Sequence, residues 1–322
     1  MRKRVFVTRI IPEEGIQILA ESFDVDIFQE KRPITKEEII KGAKDCDGLL
    51  PLLTDIIDAE IMDETGIQAI ANMAVGYDNI DVKAATERKL PVCNTPGVLT
   101  DSTADLTMAL ILSVSRRIIE ADKYLREGKF VGWDPMLFLG GDFKDKTIGI
   151  IGFGRIGKAV AKRATGFGMN VLYYSRVQYE QEEKELGVKY ATFEELLTQS
   201  DYISIHTPHT SETHHLIGED ELKKMKSTSY LINTSRGKII EEDKLVSALK
   251  NGDIAGAGLD VYYNEPLVHP GLVNLPNVVL LPHIGSASID TRTKMATIAA
   301  ENLKDALLGQ IPKNLVNPEI YQ

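Results

Sequence analysis

Short apolar runs alternate along this chain with longer stretches whose apolar positions recur every three or four residues. Residues 4–9 (RVFVTR) read as a strand, and Pro12 opens an amphipathic segment that runs to about Glu21. Residues 25–28 (VDIF) predict a second strand, a helix follows Thr35, and residues 48–53 predict a third strand. Residues 67–76 (IQAIANMAVG) predict a fourth, a short helix starts at Asp81, and residues 91–96 (PVCNTP) predict a fifth. Strands separated by helical patterns of this length predict βαβ units and a parallel sheet.

The run Asp101-Ser102-Thr103-Ala104-Asp105 opens a long helix, in which Ser102 with Asp105 three residues on resembles a capping box. Residues 106–119 are mostly apolar, so this helix is expected to be buried against more than one partner. A second βα series begins at residues 146–157 (KTIGIIGFGRIG), with strand-like runs at 170–175, 202–208, 230–235, 256–262 and 277–283. Helical segments such as 241–250 fill the gaps, and residues 288–308 predict a final helix that Gly309 stops. With no repeat and no Ser/Gly linker, the pattern predicts two α/β domains. The expected arrangement is a doubly wound parallel sheet of Rossmann type, residues 101–288, inserted into a flavodoxin-like α/β domain made of residues 1–100 and 289–322. The two chain crossings are then expected to act as a hinge.

Composition narrows the function. The 322 residues suffice for two cores, and 43% apolar with 26% charged residues is an ordinary globular balance. Lys plus Arg number 37 against 47 Asp plus Glu, a net charge of −10 that argues against a nucleic-acid binder. A small anionic ligand stays open, because a local cation overrules the global sign. Two cysteines, Cys46 and Cys93, point to a reducing compartment. The longest apolar stretch, residues 108–114, is interrupted by Ser113 and falls far short of the roughly 20 residues that span a bilayer. Arg2, Lys3 and Arg4 precede only Val5-Phe6-Val7 before Arg9, so no signal-peptide core exists. A cytoplasmic protein without a membrane partner is expected.

Gly152-Phe153-Gly154-Arg155-Ile156-Gly157 is a GxGxxG motif that follows an apolar strand and opens a helix with Ile156, Val160 and Ala161 on one face. In that context the first glycine allows the tight turn and the second lets backbone approach a pyrophosphate. The third lets helix and strand pack closely, with the helix N-terminus toward the phosphates. An NAD site carries an acid about 20 residues later, at the end of the second strand. Here the strand ends Tyr173-Tyr174-Ser175-Arg176, without a carboxylate. A hydroxyl and a cation can hold a 2′-phosphate and no anion is there to repel it, so NADP(H) is expected over NAD(H). Arg176 stacking on adenine would suit either cofactor.

Arg236, Asp260, Glu265 and His283 follow the ends of later strands, where an open parallel sheet faces its ligand crevice. Around them lie VGYDNID (75–81), IGIIGFGRIG (148–157), the stretch from His206-Thr207-Pro208 to His215-Leu216-Ile217, LINTSRG (231–237), GAGLDVYYNEP (256–266) and LPHIGSAS (281–288). In these ordered motifs the chain resembles, over essentially its whole length, the D-isomer-specific 2-hydroxyacid dehydrogenases. The resemblance implies that the inserted domain binds the dinucleotide, that the outer domain binds substrate, and that closure excludes water from the hydride path. Arg236 is then expected to hold the carboxylate of a 2-oxo acid and polarise its carbonyl, using a fixed fork of donors. His283 is expected to exchange the proton with the carbonyl oxygen, with Glu265 orienting its ring. Backbone amides at Val75 and Gly76 are expected to grip the carboxylate, and Asp260 to anchor the nicotinamide amide. Ser235 and Thr207 border the cofactor in the same reading, with Thr103, Pro208, Thr213, Thr234 and Gly285, and Arg236 and His283 reach it too. Glu265 argues against the formate-oxidising branch, whose substrate has no hydroxyl proton to move.

Within the family the likeness is greatest to the glyoxylate/hydroxypyruvate reductases, through VGYDNID, the YSR strand end, Trp133-Asp134-Pro135, residues 138–140 (FLG) and LPHIGSAS. That subgroup implies an apolar pocket residue at Leu53 and a homodimer in which Trp133 reaches the partner's substrate; Trp133 as a plain anchor of its loop is the bland alternative. A 2-ketogluconate reductase, a D-lactate dehydrogenase, and a non-catalytic dinucleotide-sensing adaptor are the competing functions. His206, His209, His214 and His215 invite a metal, but Pro208 breaks any helix there and no thiol is near, so no metal is expected.

Overall fold

The structure, a computed structural model, describes residues 2–322. The chain forms two compact units: Met1–Leu99 with Ser286–Gln322, and Thr100–Gly285.

In the first unit β1 (Arg4–Val7), β2 (Asp24–Ile27), β3 (Gly48–Leu50), β4 (Ala69–Ala71) and β5 (Val92–Cys93) pair in parallel in the order β2-β1-β3-β4-β5. This is the flavodoxin-like strand order. Phe6 faces the helix Lys36–Ala43, where Gly42 leaves room for its ring, and Thr35 caps that helix in a box with Glu38. The helices Glu13–Ala20 and Ile289–Leu307 pack together closely, with a Cβ at Gly15 only 2.9 Å from Ala296. The C-terminal segment therefore belongs to the core of this unit. Four strands, β1, β3, β4 and β5, are shorter than the runs that predict them. The fourth run leaves the sheet after Ala71, because the Asn72 side chain bonds into the following loop and the Met73 N–H turns to the Pro51 carbonyl.

The second unit has β6 (Thr147–Ile151), β7 (Asn170–Tyr174), β8 (Lys189–Tyr190), β9 (Tyr202–Ile205), β10 (Tyr230–Asn233), β11 (Gly256–Leu259) and β12 (Val278–Leu280). All are parallel, in the order β12-β11-β10-β9-β6-β7-β8. The order reverses between β6 and β9, the switch point of a doubly wound Rossmann sheet. Ile148, Ile150 and Tyr173 feed one core, while Ile151, Ile205 and Leu259 feed another on the opposite face. Burial on both faces explains why these strands read as continuous apolar runs.

Two expectations about the long helix fail. It begins at Thr100, so Ser102 lies inside its first turn and is no cap, and Asp105 instead pairs with Arg163 at 2.6 Å. It also ends at Ser115, because Arg117 takes a left-handed φ of 54° and starts a separate helix, Ile118–Arg126, with no buried residue. The first helix packs on the helix Arg155–Gly166 and on β10 and β11, which accounts for its apolar surplus. The edge strand β8 was not foreseen, being two exposed residues without a pattern. Among the described residues no helix is long and apolar enough to cross a membrane.

Gly149 in β6 tests the packing. A Cβ there would meet Ser200 Oγ and stand 2.6 Å from Leu196 Cγ. Gly149→Ala should therefore destabilise by about 1–3 kcal/mol, read as a lower thermal midpoint. An unchanged midpoint would contradict this packing.

Candidate active site

The glycine turn after β6 meets each steric demand separately. Gly152 has φ +92°, and a Cβ there would stand 2.7 Å from the His206 carbonyl carbon. A Cβ at Gly157 would collide with the Gly152 carbonyl oxygen, so the helix can seat against the turn only without one. Gly154, in contrast, faces open space. It precedes the helix Arg155–Gly166 without a side-chain cap, leaving first-turn N–H groups and the positive end of the dipole to an anion. These residues fit the pyrophosphate of a dinucleotide. Phe153 turns its ring inward onto Tyr173 at 4.0 Å, so only its backbone faces the turn, while Arg155 is exposed and Ile156 half-buried.

Further along the sheet, β10 and β11 deliver the polar groups. Asn233 at the end of β10 ties the next turn: its Nδ2 donates to the Arg236 carbonyl at 2.9 Å and its Oδ1 accepts from the Ser235 N–H at 3.0 Å. Gly237 then packs so closely on the backbone of Tyr262 that no side chain would fit. Arg236 is half-buried between them, with Nη1 donating to the Ser235 carbonyl at 2.9 Å. After β11, Asp260 is 1% exposed and accepts the N–H groups of Ile284 and Gly285 at 2.7 Å each. Burial pushes its carboxyl above the usual carboxylate range, and the two amides offset only part of that. Thr103 adds a bond to the Gly285 carbonyl at 3.2 Å. Asp260 and Thr103 thus fix the turn on which His283 sits, itself at a left-handed φ of 53°.

His283 Nδ1 lies 2.7 Å from Glu265 Oε2, and Glu265 Oε1 accepts the Tyr262 N–H at 3.0 Å. Burial alone would raise the Glu265 carboxyl. The His283 hydrogen bond and charge, the Tyr262 amide and the Arg236 charge outweigh it and hold Glu265 below the usual range. Glu265 therefore stays ionised, the Nδ1 side of the ring is taken, and Nε2 is left for chemistry.

The remaining candidates of this unit divide by depth. Thr234 is buried, its hydroxyl 3.0 Å from that of Thr107. Ser235 Oγ donates to the Thr207 carbonyl, and the Thr207 hydroxyl is buried without a partner. Thr213 closes its loop by donating to the Pro208 carbonyl at 2.7 Å. Ser175 is half-buried, while the Arg176 side chain is 88% exposed with Nη1 4.0 Å from Glu212 Oε2. The expectation that no anion stands near this position is thus corrected: Glu212, 36 residues on, supplies one that the strand itself lacks. Trp133 is 85% exposed. Leu53, Val75 and Gly76 belong to the first unit, half-buried in the loops after β3 and β4.

The supporting roles of Asn233, Gly237 and Tyr262 were missed, although all three sit inside the quoted motifs. Among the described residues no group of three or more His, Cys, Asp or Glu could hold a metal ion. His206 bonds to Ser204 at 2.8 Å, and burial pushes it down to about 3, which keeps the ring neutral.

Residues 108–285 match the family model of the D-isomer specific 2-hydroxyacid dehydrogenase NAD binding domain. A glyoxylate reductase of Korarchaeum cryptofilum is 53% identical, over 100% of this chain and 98% of that protein. The chain belongs to the D-isomer specific 2-hydroxyacid dehydrogenase family. It is accordingly an NAD(P)-dependent dehydrogenase. Among solved structures, a Thermus thermophilus protein matches with a TM-score of 0.92 at 45% identity, covering 97% of this chain and 99% of the other. An NADPH-dependent glyoxylate/hydroxypyruvate reductase from Sinorhizobium meliloti, in complex with NADP and malonate, matches with a TM-score of 0.86 at 34% identity, covering 98% and 97%.

Asp260→Ala would leave two amides without their acceptor. It should destabilise by roughly 2–4 kcal/mol and lower kcat, because the His283 turn loses its support. Chemical denaturation and steady-state kinetics check this, and wild-type stability with wild-type kcat would contradict it.

Proposed function

We propose that the enzyme reduces glyoxylate to glycolate, or the related hydroxypyruvate to its D-2-hydroxy acid, using NADPH in preference to NADH. The observation that carries this reading is the imidazole of His283 braced through Nδ1 by an ionised Glu265, within reach of the Arg236 charge. A 2-oxo acid presents a carboxylate and a carbonyl, and these groups answer both. Arg236 binds the carboxylate and polarises the carbonyl with parallel donors. His283 donates the proton of Nε2 to the carbonyl oxygen, and accepts it back in the oxidative direction. Glu265 stabilises the charged ring before that transfer and keeps it aligned afterwards. A bound nicotinamide supplies the hydride.

In the same reading the unit Thr100–Gly285 binds the dinucleotide, with its pyrophosphate at the glycine turn, Asp260 toward the nicotinamide amide, and Thr103, Thr207, Pro208, Thr213, Thr234, Ser235 and Gly285 lining it. The other unit binds substrate through the amides of Val75 and Gly76, with Leu53 beside it. Ser175 and Arg176 favour a 2′-phosphate, and Glu212 sets a limit on that preference by competing for Arg176. A homodimer is supported by the exposed large apolar side chains Ile118, Ile119, Leu125, Phe130, Val131 and Trp133, which lie close together along the chain. Cys46 and Cys93 are both free, which suits the cytoplasm.

A screen of 2-oxo acids against NADPH and NADH tests the reading. Glyoxylate and hydroxypyruvate should give the highest kcat/KM, with NADPH ahead of NADH; a tenfold preference for NADH would overturn the cofactor assignment. His283→Ala should lower kcat by about 10²–10⁴-fold with NADPH affinity retained. Full turnover in that variant would overturn the mechanism.

A further inference from the structure

The loop that follows β4 is held by an unusual arrangement of hydrogen bonds. Three consecutive carbonyls, those of Ala74, Val75 and Gly76, are each taken by a donor from the same unit. The Thr95 N–H reaches Ala74 at 2.8 Å, Asn94 Nδ2 reaches Val75 at 2.8 Å, and Asn72 Nδ2 reaches Gly76 at 3.0 Å. A trans peptide carries its N–H opposite its C=O. Tying back these three carbonyls therefore turns the N–H groups of Val75, Gly76 and Tyr77 the other way. None of those three amides makes a hydrogen bond among the described residues. Successive free N–H groups of this kind form an anion-binding concavity.

The anchors are themselves fixed. Asn72 is fully buried, and its Nδ2 also donates to Asn79 Oδ1 at 3.0 Å. Asn79 Nδ2 in turn holds the carbonyls of Leu52 and Asp55 at 3.1 and 2.9 Å. Asp55, 1% exposed, accepts the Leu52 N–H at 2.8 Å and the Thr8 hydroxyl at 2.5 Å. Loops after β1, β3, β4 and β5 are thus knitted into one network, whose output is the orientation of three amides. Four buried polar side chains are a costly way to hold a loop that needs only to turn.

We infer that Asn72 and Asn94 are positioning residues for the substrate carboxylate, holding the Gly76 and Val75 carbonyls back so that the Gly76 and Tyr77 N–H groups face the anion beside that of Val75. This rests on the reading above that the Val75–Gly76 loop receives the carboxylate, and it adds Tyr77 N–H as a third donor. Neither asparagine touches the substrate. Their loss weakens binding and leaves proton and hydride transfer in place.

Kinetics of the full-length enzyme with NADPH test this in Asn72→Ala and Asn94→Ala, with glyoxylate as substrate and oxamate as a non-reducible competitor. Asn94 is half-buried, so its variant serves even where the buried Asn72 proves indispensable for folding. KM for glyoxylate and Ki for oxamate should each rise about tenfold, while kcat and NADPH affinity stay near wild type; the thermal midpoint should hold in Asn94→Ala and fall in Asn72→Ala, whose buried partners lose their donor. Unchanged KM and Ki would overturn the inference, as would a uniform fall of every parameter together with the thermal midpoint. Gly76→Ala, which alters the loop at the amide itself, separates the two levels. If it alone raises KM, the anchoring fails and the amide cradle stands. If none of the three variants moves KM, the carboxylate binds elsewhere and both fall.

Discussion

The contact between Glu265 and His283 is the interaction on which the proposed chemistry depends. A carboxylate removed from water ordinarily takes up a proton, and a neutral partner would leave the imidazole free to rotate and to choose either tautomer. Here the ring, the Tyr262 amide and the Arg236 charge together keep Glu265 ionised despite its burial. The ionised carboxylate fixes the ring in return. Each member is positioned by a different strand end, with Arg236 after β10, Glu265 after β11 and His283 after β12. Three neighbouring strands of one parallel sheet thus deliver the three side chains to which the proposed proton transfer is assigned.

Both units use the same device to finish their strands. A polar side chain at or just beyond the last strand residue satisfies backbone groups of the following turn, so that the turn cannot relax toward ordinary loop geometry. Asn233 does this for the arginine turn, Asp260 for the histidine turn and Asn72 for the loop after β4. Leaving any of these groups without a partner would cost far more than the bond itself contributes, since the sites are closed to water. The aim of a reactive group is set by what lies behind it.

Much of this was legible in the residues. Alternation of apolar runs with helical patterns gave the two parallel sheets, and the glycine turn was readable because strand, spacing and helix all agreed. What periodicity could not supply is where a strand stops, since Met73 and Ala74 are as apolar and buried as the sheet residues before them. Hydrogen bonding by Asn72 ends β4, and that depends on partners in other loops. The left-handed Arg117 ends a helix that the apolar pattern, resuming at Ile118, would have carried on. Glu212 reaches Arg176 across 36 residues of chain, a proximity that no local pattern encodes. Arg236, Glu265 and His283 stand in motifs that can be read from the sequence, whereas the groups that hold them in place emerged only with the folded chain.

The most direct test of the central contact is nitrogen NMR of the His283 ring in the enzyme–NADPH–oxamate complex, followed across pH. The account requires Nδ1 to carry its proton throughout, bonded to Glu265, while Nε2 alone gains and loses one. A neutral ring protonated at Nε2 with a bare Nδ1 would contradict it, because such a ring could not accept a proton from the substrate hydroxyl in the reverse reaction.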